Sequence, residues 1–405
     1  MKLFVIVLKG ANTAFLPCYG NNWVQMPNLN VISAQSLVLD NYYCSSYDES
    51  EIRDIWLNGD FLKPFSLSSK SKNWLQSLKT MGWITSFIGD QHYAPSTNFS
   101  SHFSNIKLLD NASGQYLSYH QAMLDSEGFC DSNKNSLTWV EVSSLLPPWK
   151  AGKEFVGPIQ EELEDYFLSQ ENISEDEDLP QLIVAPEPDF KPADDKSYLA
   201  LSAGCATAWA AVDDLLGAVV ASVEEQNGKK EFVIIITADR GSGTCQHDIL
   251  GTNPKWLYRE FTHLPFLLYH PRSGDIGSRK MGFFQDVDLA PTIAEICGIT
   301  NSFQGKSIFK TGFLEHGARE FAYSYEPQNN LKAFRTLQRS LLIKPSETLQ
   351  SEQAVKYFLF PDDVSELNDI SKTEETYQEK ILQSVLLLDN EGLQAQDKVV
   401  AILND

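Results

Sequence analysis

The sequence predicts an α/β protein with a doubly wound, mostly parallel sheet flanked by helices, followed by a small C-terminal antiparallel sheet and a helix. The apolar run at residues 232–236, with four Val or Ile among its five residues, is typical of a strand buried on both faces. Short apolar runs alternate with amphipathic segments, which favours a parallel sheet. Closely spaced short strands begin near residue 318. We therefore predict a core at residues 1–318 and a C-terminal subdomain at 319–405.

Core strands are predicted from short apolar runs that end in polar residues or glycine. They lie at residues 3–8, 37–39, 84–88, 182–185, 232–236 and 264–269. Helices are predicted where apolar residues recur three or four positions apart. They lie at residues 27–36, 74–81, 198–225 and 288–297.

Two further parts of the chain complete the predicted order of elements. Residues 95–180 show no clear period and are predicted as loops and short helices, with the acidic run at 161–178 interpreted as solvated surface. The C-terminal subdomain is predicted to contain four short strands and a closing helix. These lie at residues 321–325, 332–336, 340–344, 357–360 and 374–388.

Composition excludes several classes of protein. The formal charge of −22 argues against nucleic-acid binding, which needs a basic surface. The six scattered cysteines include no CxxC pair, which favours reduced thiols over a disulfide framework or a zinc cluster. No run approaches the roughly 20 apolar residues of a membrane span, and residues 3–8 fit a first strand better than a signal peptide. We therefore expect a cytoplasmic protein that does not bind membranes.

Charged residues follow the two most apolar predicted strands. Lys9 comes directly after residues 3–8, and Asp239 and Arg240 follow residues 232–236. Ligands of open α/β sheets bind just beyond the carboxyl ends of the strands. Any chemistry is therefore expected at this edge.

Several motifs in one order resemble the sulfatase branch of the alkaline phosphatase superfamily. Each is weak alone, but the ordered set covers almost the whole chain and is specific. The segments that carry the resemblance are Cys18-Tyr19-Gly20-Asn21 with Pro27-Asn28-Leu29, Asn41 to Cys44, Gly82 to His92, Thr237 to Gly241, Leu264 to Phe266, Asp288 to Ile293, Gln304 to Ile308 and Phe360 to Ile370. The resemblance implies the sulfatase fold.

The residues that would perform the family's chemistry are largely replaced. Lys9 and Gly10 stand where two aspartates bind a divalent cation, and Glu49 stands where the family has its cysteine or serine nucleophile. Arg240 replaces an amide or imidazole ligand of the metal. Other replacements are Asp90 for the lysine of the GKWH motif and Glu187 for a histidine.

Other site positions still match the family's residues. They are Arg53 of the nucleophile motif, His92, Asp239, His247 and Lys255, the sulfate-contacting lysine. The resemblance implies Ca²⁺ or Mg²⁺ as cofactor. Since ligands for a hard cation are largely lost and Lys9 and Arg240 would repel it, we expect no bound metal and no cofactor. We expect ion pairs from Asp239 to Lys9 or Arg240 instead.

Two interpretations of this edge remain open. Its charges form either a salt-bridge network that fills the former metal site, which we favour, or a pocket that still binds an anion through Arg53, Lys255, His92 and His247. Three functions follow. The protein is a sulfatase-like pseudoenzyme that acts as a scaffold or binds another protein, a binder of a sulfated or phosphorylated small molecule, or an active hydrolase of sulfate or phosphate esters with a rearranged site.

Overall fold

The structure is a computed structural model. It describes residues 1–61, 73–93, 99–110, 116–149, 151–170, 178–187, 189–227, 231–270, 277–309, 319–345, 353–373, 375–391 and 395–404. Within the first 300 residues the strands are β1 (Lys2–Leu8), β2 (Ser36–Tyr43), β3 (Ile84–Asp90), β4 (Asn105–Leu109), β5 (Ser136–Val142), β6 (Phe232–Thr237), β7 (Gly243–Thr244), β8 (Leu250–Gly251), β9 (Phe266–Tyr269) and β10 (Arg279–Gln285).

Helices accompany these strands along the chain. They are α1 (Pro27–Ala34), α2 (Glu49–Asn58), α3 (Trp74–Thr80), α4 (Tyr116–Leu124), α5 (Glu127–Cys130), α6 (Lys153–Leu168), α7 (Asp195–Asn227), α8 (Arg259–Thr262), α9 (Leu289–Ile296), α10 (Glu375–Glu391) and α11 (Gln396–Asn404). The C-terminal strands are β11 (Phe321–Glu326), β12 (Leu331–Thr336), β13 (Arg339–Pro345) and β14 (Gln353–Leu359).

The central sheet has eight strands in the order β10-β2-β9-β6-β1-β5-β3-β4. Its strands pair in parallel except at β9, which runs antiparallel to β2 and β6. The strands β1, β5 and β6 are buried along their full length, as expected for the middle of a sheet covered on both faces. The predicted fold class of a mostly parallel, doubly wound sheet is confirmed.

Four C-terminal strands form a separate antiparallel sheet in the order β11-β12-β13-β14. The backbone of β11 also bonds to the segment just before α2: Tyr47 N–H donates to Tyr325 O at 2.8 Å, and Tyr325 N–H donates to Ser45 O at 3.0 Å. Ile55 of α2 packs in the hydrophobic cluster of this sheet with Phe334. The sheet thus supports one side of α2. The boundary predicted at residue 318 lies outside the described residues.

The predicted strand at residues 182–185 is wrong. Its backbone bonds elsewhere: Ile183 N–H donates to Ala200 O of α7 at 3.0 Å, and Trp149 N–H donates to Val184 O at 2.7 Å. This segment passes so close to α7 that a Cβ on Gly204 would lie 2.1 Å from Ile183 O. The apolar run is therefore used to cover a helix and adds no strand to the sheet.

Residues 95–180 are more regular than predicted. They contain β4, β5 and the 16-residue helix α6, and the first part of the acidic run, residues 161–168, belongs to α6. Several of its carboxylates are exposed, in agreement with a solvated face, while residues 171–177 lie outside the described residues. The strand β10 and the helices α2 and α11 were also not predicted.

The 33-residue helix α7 packs against α1, α4 and α6. It is the one helix among the described residues that is long and apolar enough to cross a membrane, and 67% of its most apolar window is buried inside the protein. Core helices of soluble proteins share this length and composition.

Candidate functional site

Charged side chains meet beyond the carboxyl ends of β1, β5 and β6, which run parallel to one another. Lys9 follows β1, Asp239 lies two residues after β6, and Glu141 is the next-to-last residue of β5. The helix α2 adds Glu49 at its first position and Arg53 one turn later. With Arg240, these residues form what we call the ion-pair cluster.

The start of α2 is fixed by a side-chain cap. The Asp48 carboxylate accepts hydrogen bonds from Ser50 N–H at 2.9 Å and Glu51 N–H at 3.0 Å, which satisfies donors that have no partner in the first turn of a helix. Glu49 and Arg53 are four residues apart and so lie on the same face of the helix. The cap therefore aims both side chains at the sheet edge.

Lys9 is the centre of the cluster and is only 3% exposed. Its ammonium forms an ion pair with Glu49 Oε1. The same Nζ atom lies 3.8 Å from Glu141 Oε2 and 3.7 Å from Asp239 Oδ2. One ammonium group therefore contacts all three carboxylates.

Arg53 is the second buried cation, with a side chain that is 1% exposed. Its Nη2 donates to Glu141 Oε2 at 2.8 Å and lies 3.8 Å from Asp239 Oδ2. The guanidinium carbon sits 4.7 Å from the centroid of the Trp56 ring, a cation–π distance. The other oxygen of Glu141 accepts from Trp139 Nε1 at 3.2 Å. Arg53 and Glu141 thus form a direct pair enclosed by tryptophans.

Arg240 and Glu49 form the more open side of the cluster. Arg240 Nη2 donates to Glu49 Oε2 at 3.1 Å, and the two side chains are 17% and 28% exposed. Burial alone would raise the pKa of Glu49, but the positive charges of Lys9, Arg240 and Arg53 together lower it. Glu49 is therefore a carboxylate stabilised by three cations.

Asp239 is fully buried. Its Oδ1 accepts from Gly10 N–H at 3.3 Å and from Arg240 N–H at 2.8 Å. Burial opposes ionisation of this carboxyl, yet Lys9, Arg240 and Arg53 outweigh it and lower its pKa. Asp239 is ionised at neutral pH, so the cluster contains three cations and three carboxylates and has no net charge.

The residues present do not fit the divalent cation that the resemblance implies. Lys9 Nζ already contacts the three carboxylates that would have to bind such an ion. Gly10 adopts φ +75°, and a Cβ there would lie 2.5 Å from Leu146 Cδ2, so an aspartate at this position requires Leu146 to move. Among the described residues, no group of three or more His, Cys, Asp or Glu side chains could hold a metal ion.

Asp90 and His92 lie near the same edge but outside the ion-pair cluster. Asp90 ends β3, is buried, and accepts from Ser143 Oγ at 3.0 Å and from His92 N–H at 2.8 Å. The His92 side chain is 61% exposed, and its Nδ1 lies 3.6 Å from Asp90 Oδ1. Asp90 thus binds Ser143 and the backbone of His92, and the His92 side chain lies at the surface.

Glu187 and Lys255 do not join the cluster. Both are exposed, and neither forms an ion pair with the six clustered side chains in the part of the chain that the structure describes. Glu187 follows the segment wrongly predicted as a strand, so no strand delivers it to the sheet edge. The anion pocket predicted from Lys255 and His92 with Arg53 is therefore not assembled.

His247 is used to link the core to the C-terminal subdomain. Its Nδ1 lies 2.9 Å from Glu260 Oε1, its Nε2 lies 3.2 Å from Glu366 O, and its ring stacks on Tyr258 with centroids 3.5 Å apart. The Glu366 carboxylate accepts from Arg259 N–H at 2.6 Å and from Arg335 Nε at 3.0 Å. Both ring nitrogens of His247 are thus occupied within the protein.

Glu141 is the member of the cluster that sequence reasoning missed. It lies in β5, whose sequence SLTWVEV mixes apolar and polar residues and was not recognised as a central strand. The apolar residues Leu137, Trp139 and Val142 at two- and three-residue spacing are the signal that could have found it. A glutamate beside them would then have been expected at the carboxyl end of the sheet.

Two sequence comparisons relate this chain to known proteins. A family model described as Sulfatase matches residues 2–299. An N-acetylglucosamine-6-O-sulfatase of Bacteroides thetaiotaomicron is 25% identical over 100 residues, which are 24% of this chain and 18% of that enzyme. The matched stretch is thus less than a fifth of the curated relative.

Solved structures resemble the chain over nearly its full length. An enzyme solved with its substrate D-glucosamine-2-N,6-O-disulfate superposes with a TM-score of 0.72 at 16% identity, covering 98% of both chains. A phosphonate monoester hydrolase of Agrobacterium radiobacter superposes with a TM-score of 0.68 at 14% identity, covering 96% of this chain and 95% of its own. At these identities the likeness concerns the fold.

Proposed function

We propose, from the premise that this chain belongs to the sulfatase family, that it does not hydrolyse sulfate esters and acts instead by binding another protein. The observation that carries the proposal is the position of Lys9, whose ammonium contacts Glu49, Glu141 and Asp239 together. A hydrolase of this family needs a divalent cation to polarise the ester oxygens and activate the nucleophile. Lys9 satisfies the carboxylates without a metal.

The residue at the nucleophile position argues in the same direction. Lys9, Arg240 and Arg53 lower the pKa of Glu49, so its electron pairs are held by cations. Since the intrinsic nucleophilicity of a group falls as its pKa falls, this carboxylate is a poor nucleophile. Attack of this carboxylate on an anionic ester would also have to disrupt three ion pairs.

Binding of a small sulfated or phosphorylated ligand in the cluster is the second candidate. Arg53 Nε and Nη1 are buried without a hydrogen-bond partner among the described residues, and such donors could face an oxyanion. However, Arg53 is only 1% exposed, and the three cations are already balanced by three carboxylates. An incoming anion would therefore add an unbalanced charge to a buried site. We favour protein binding for this reason.

The test measures metal binding and turnover on the same protein. Dialysis against Ca²⁺ or Mg²⁺ should leave no stoichiometric metal, and aryl sulfates and aryl phosphates should not be hydrolysed above the background rate. Stoichiometric metal with turnover that disappears in Asp239→Ala would overturn the proposal. A rise in the thermal unfolding midpoint with millimolar sulfate or phosphate, absent in Arg53→Met, would favour the second candidate.

A converse variant tests the role of the cations. Lys9→Asp combined with Arg240→Asn gives the cluster a fourth carboxylate and an amide, which are the ligands that hard cations prefer. We expect Ca²⁺ to raise the thermal unfolding midpoint of this variant and to leave the parent protein unchanged. An equal response of both proteins would show that Lys9 and Arg240 do not exclude metal.

A cytoplasmic location is part of the proposal. All six cysteines are free thiols, and four of them are buried, namely Cys44, Cys205, Cys245 and Cys297. Such thiols are compatible with a reducing compartment. Cell fractionation with an antibody to the chain tests this, and recovery in the secreted fraction would contradict it.

A further inference from the structure

An apolar groove, lined by none of the ion-pair cluster residues, lies between α6, α7 and the loop that carries Trp23. It consists of two adjoining cavities of about 270 and 180 Å³. Trp23, Ile159 and Glu162 line both cavities, so the two form one continuous surface. On α6 the lining residues run from Glu154 to Tyr166, which is about 18 Å at 1.5 Å per helical residue.

The walls of the groove suit the approach of a helix. Its floor contains the small side chains of Ala203, Ala206 and Ala210 of α7, of which Ala203 and Ala206 are only 5% and 1% exposed. Trp23 is 40% exposed and Tyr166 is 51% exposed. Partly exposed aromatic side chains beside an apolar floor are typical of binding surfaces.

The rim of the groove is acidic. The helix α6 carries five carboxylates and one lysine, and Glu154, Glu161, Glu162 and Asp165 are exposed. Glu154 and Glu162 line the groove itself. A partner with positive charges beside its apolar face would therefore be attracted, whereas an acidic one would be repelled.

We propose that this groove binds an amphipathic helix of another protein, with about three turns of apolar side chains in the groove and Lys or Arg along both flanks. Binding of an apolar helix face in a groove is a recurring mode of peptide recognition. This chain does not supply such a helix among its described residues: α10 has an excess of acidic residues and α11 has a single lysine. A second copy would moreover bring a charge of −22 to an acidic rim.

This inference names the kind of partner and rests on the proposed role in protein binding, but it concerns a surface that the hydrolase test does not read. The probe is a fluorescein-labelled 18-residue peptide of Leu and Lys, with leucines at i, i+3, i+4 and i+7. Its fluorescence anisotropy is titrated with the full chain at 150 mM salt. A peptide with Glu in place of every Lys is the comparison. We expect saturable one-to-one binding of the Lys peptide and at least tenfold weaker binding of the Glu peptide.

Variants locate the binding. Trp23→Ala should weaken binding of the Lys peptide at least tenfold, whereas Leu386→Ala, which truncates a 53% exposed leucine of α10, should leave it unchanged. Because Trp23 also contacts Phe15 at 6.0 Å between ring centroids, Tyr166→Ala serves as a second groove variant that does not disturb this contact. Unfolding midpoints of all variants are measured first.

Charge variants separate the groove from the general acidity of the chain. Glu162→Gln should weaken binding of the Lys peptide several-fold. Glu379→Gln, at an exposed position of α10, should leave this binding unchanged. The proposal would be overturned if Glu162→Gln and Glu379→Gln had equal effects, or if neither Trp23→Ala nor Tyr166→Ala weakened binding of the peptide. Sedimentation that reveals a dimer abolished by Trp23→Ala would also overturn it, because the groove would then bind a second copy.

Discussion

Removing the Lys9 ammonium should destabilise the protein strongly at neutral pH. Lys9→Met keeps an unbranched side chain that is one atom shorter and deletes the charge that contacts Glu49, Glu141 and Asp239. Two of these carboxylates are 2% and 0% exposed. Water cannot reach these two carboxylates to replace the lost ammonium group. The substitution therefore leaves buried negative charge with fewer partners.

The size of the effect follows from the geometry. At 3.7 Å, two unit charges attract by roughly 4.5 kcal/mol for an effective dielectric constant near 20. Arg53 remains 2.8 Å from Glu141 and offsets part of the loss, while Glu49, which is 28% exposed, contributes less. Removing one partner of a buried ion pair typically costs about 3–5 kcal/mol. We therefore expect the free energy of unfolding to fall by about 3–5 kcal/mol at pH 7.

Urea denaturation across pH measures this loss. The folded-state pKa of Asp239 is lowered although burial opposes it, with Lys9 the strongest of the charges responsible. Stabilisation of this kind is present above the unfolded pKa of about 4 and is lost as pH falls through the folded pKa. The difference between Lys9→Met and the parent protein should thus be largest near pH 7 and should shrink below about pH 4.

A second buried lysine on β1 provides the control. Lys2 is 2% exposed, and its Nζ donates to Gly128 O and Asp131 O at 2.6 Å each. These partners are carbonyl groups, although the Lys2 charge also helps to lower the pKa of the Asp131 carboxyl. We therefore expect Lys2→Met to lose only about 1–3 kcal/mol and to show a smaller loss of the difference in acid than Lys9→Met. A Lys9→Met loss below 1 kcal/mol, or one independent of pH, would refute the reasoning.

Three further predictions concern other buried groups and are read from unfolding curves. Burial raises the pKa of Asp286 to about 7, so stability should fall as pH rises from about 4 to 7, and Asp286→Asn should remove this slope. Burial opposes protonation of His247, but Glu260 raises its pKa. The stabilisation that the protonated ring provides is present below about pH 6.5 and is lost as pH rises through the folded pKa. His247→Asn should remove this pH dependence. Gly241→Ala would place a Cβ 1.9 Å from Glu260 O and should destabilise, whereas Gly157→Ala, with open space around it, should stabilise by about 0.5–1 kcal/mol.

The central strands could be predicted because their apolar sequences directly indicate burial on both faces. β1 and β6 are continuous apolar runs, buried on both faces, and a run of that kind has few other uses. The charged residues that follow them, Lys9 and Asp239, were consequently placed at the correct edge. Arg53 was predicted to lie at the same edge because it matches the arginine of the family's nucleophile motif.

The rest of the cluster depends on contacts that sequence does not display. Glu141 is 88 residues from Arg53, and within SLTWVEV it looks like an ordinary exposed glutamate of an irregular segment. Lys255 and Glu187 show the opposite error. They were assigned to the site from their places in motifs, but the segment before Glu187 bonds to α7 and both side chains are exposed.

The attachment of β11 to the segment before α2 has a consequence for synthesis of the chain. Ser324 Oγ donates to Cys44 O across 280 residues of sequence, beside the backbone bonds of Tyr47 and Tyr325. At roughly 5–20 residues per second, the ribosome needs about 15–60 s to deliver this partner. During that interval the C-terminal sheet is not yet complete, and α2 lacks the contacts that this sheet provides. We therefore expect nascent chains of about 300 residues to bind chaperones more strongly than the complete chain does.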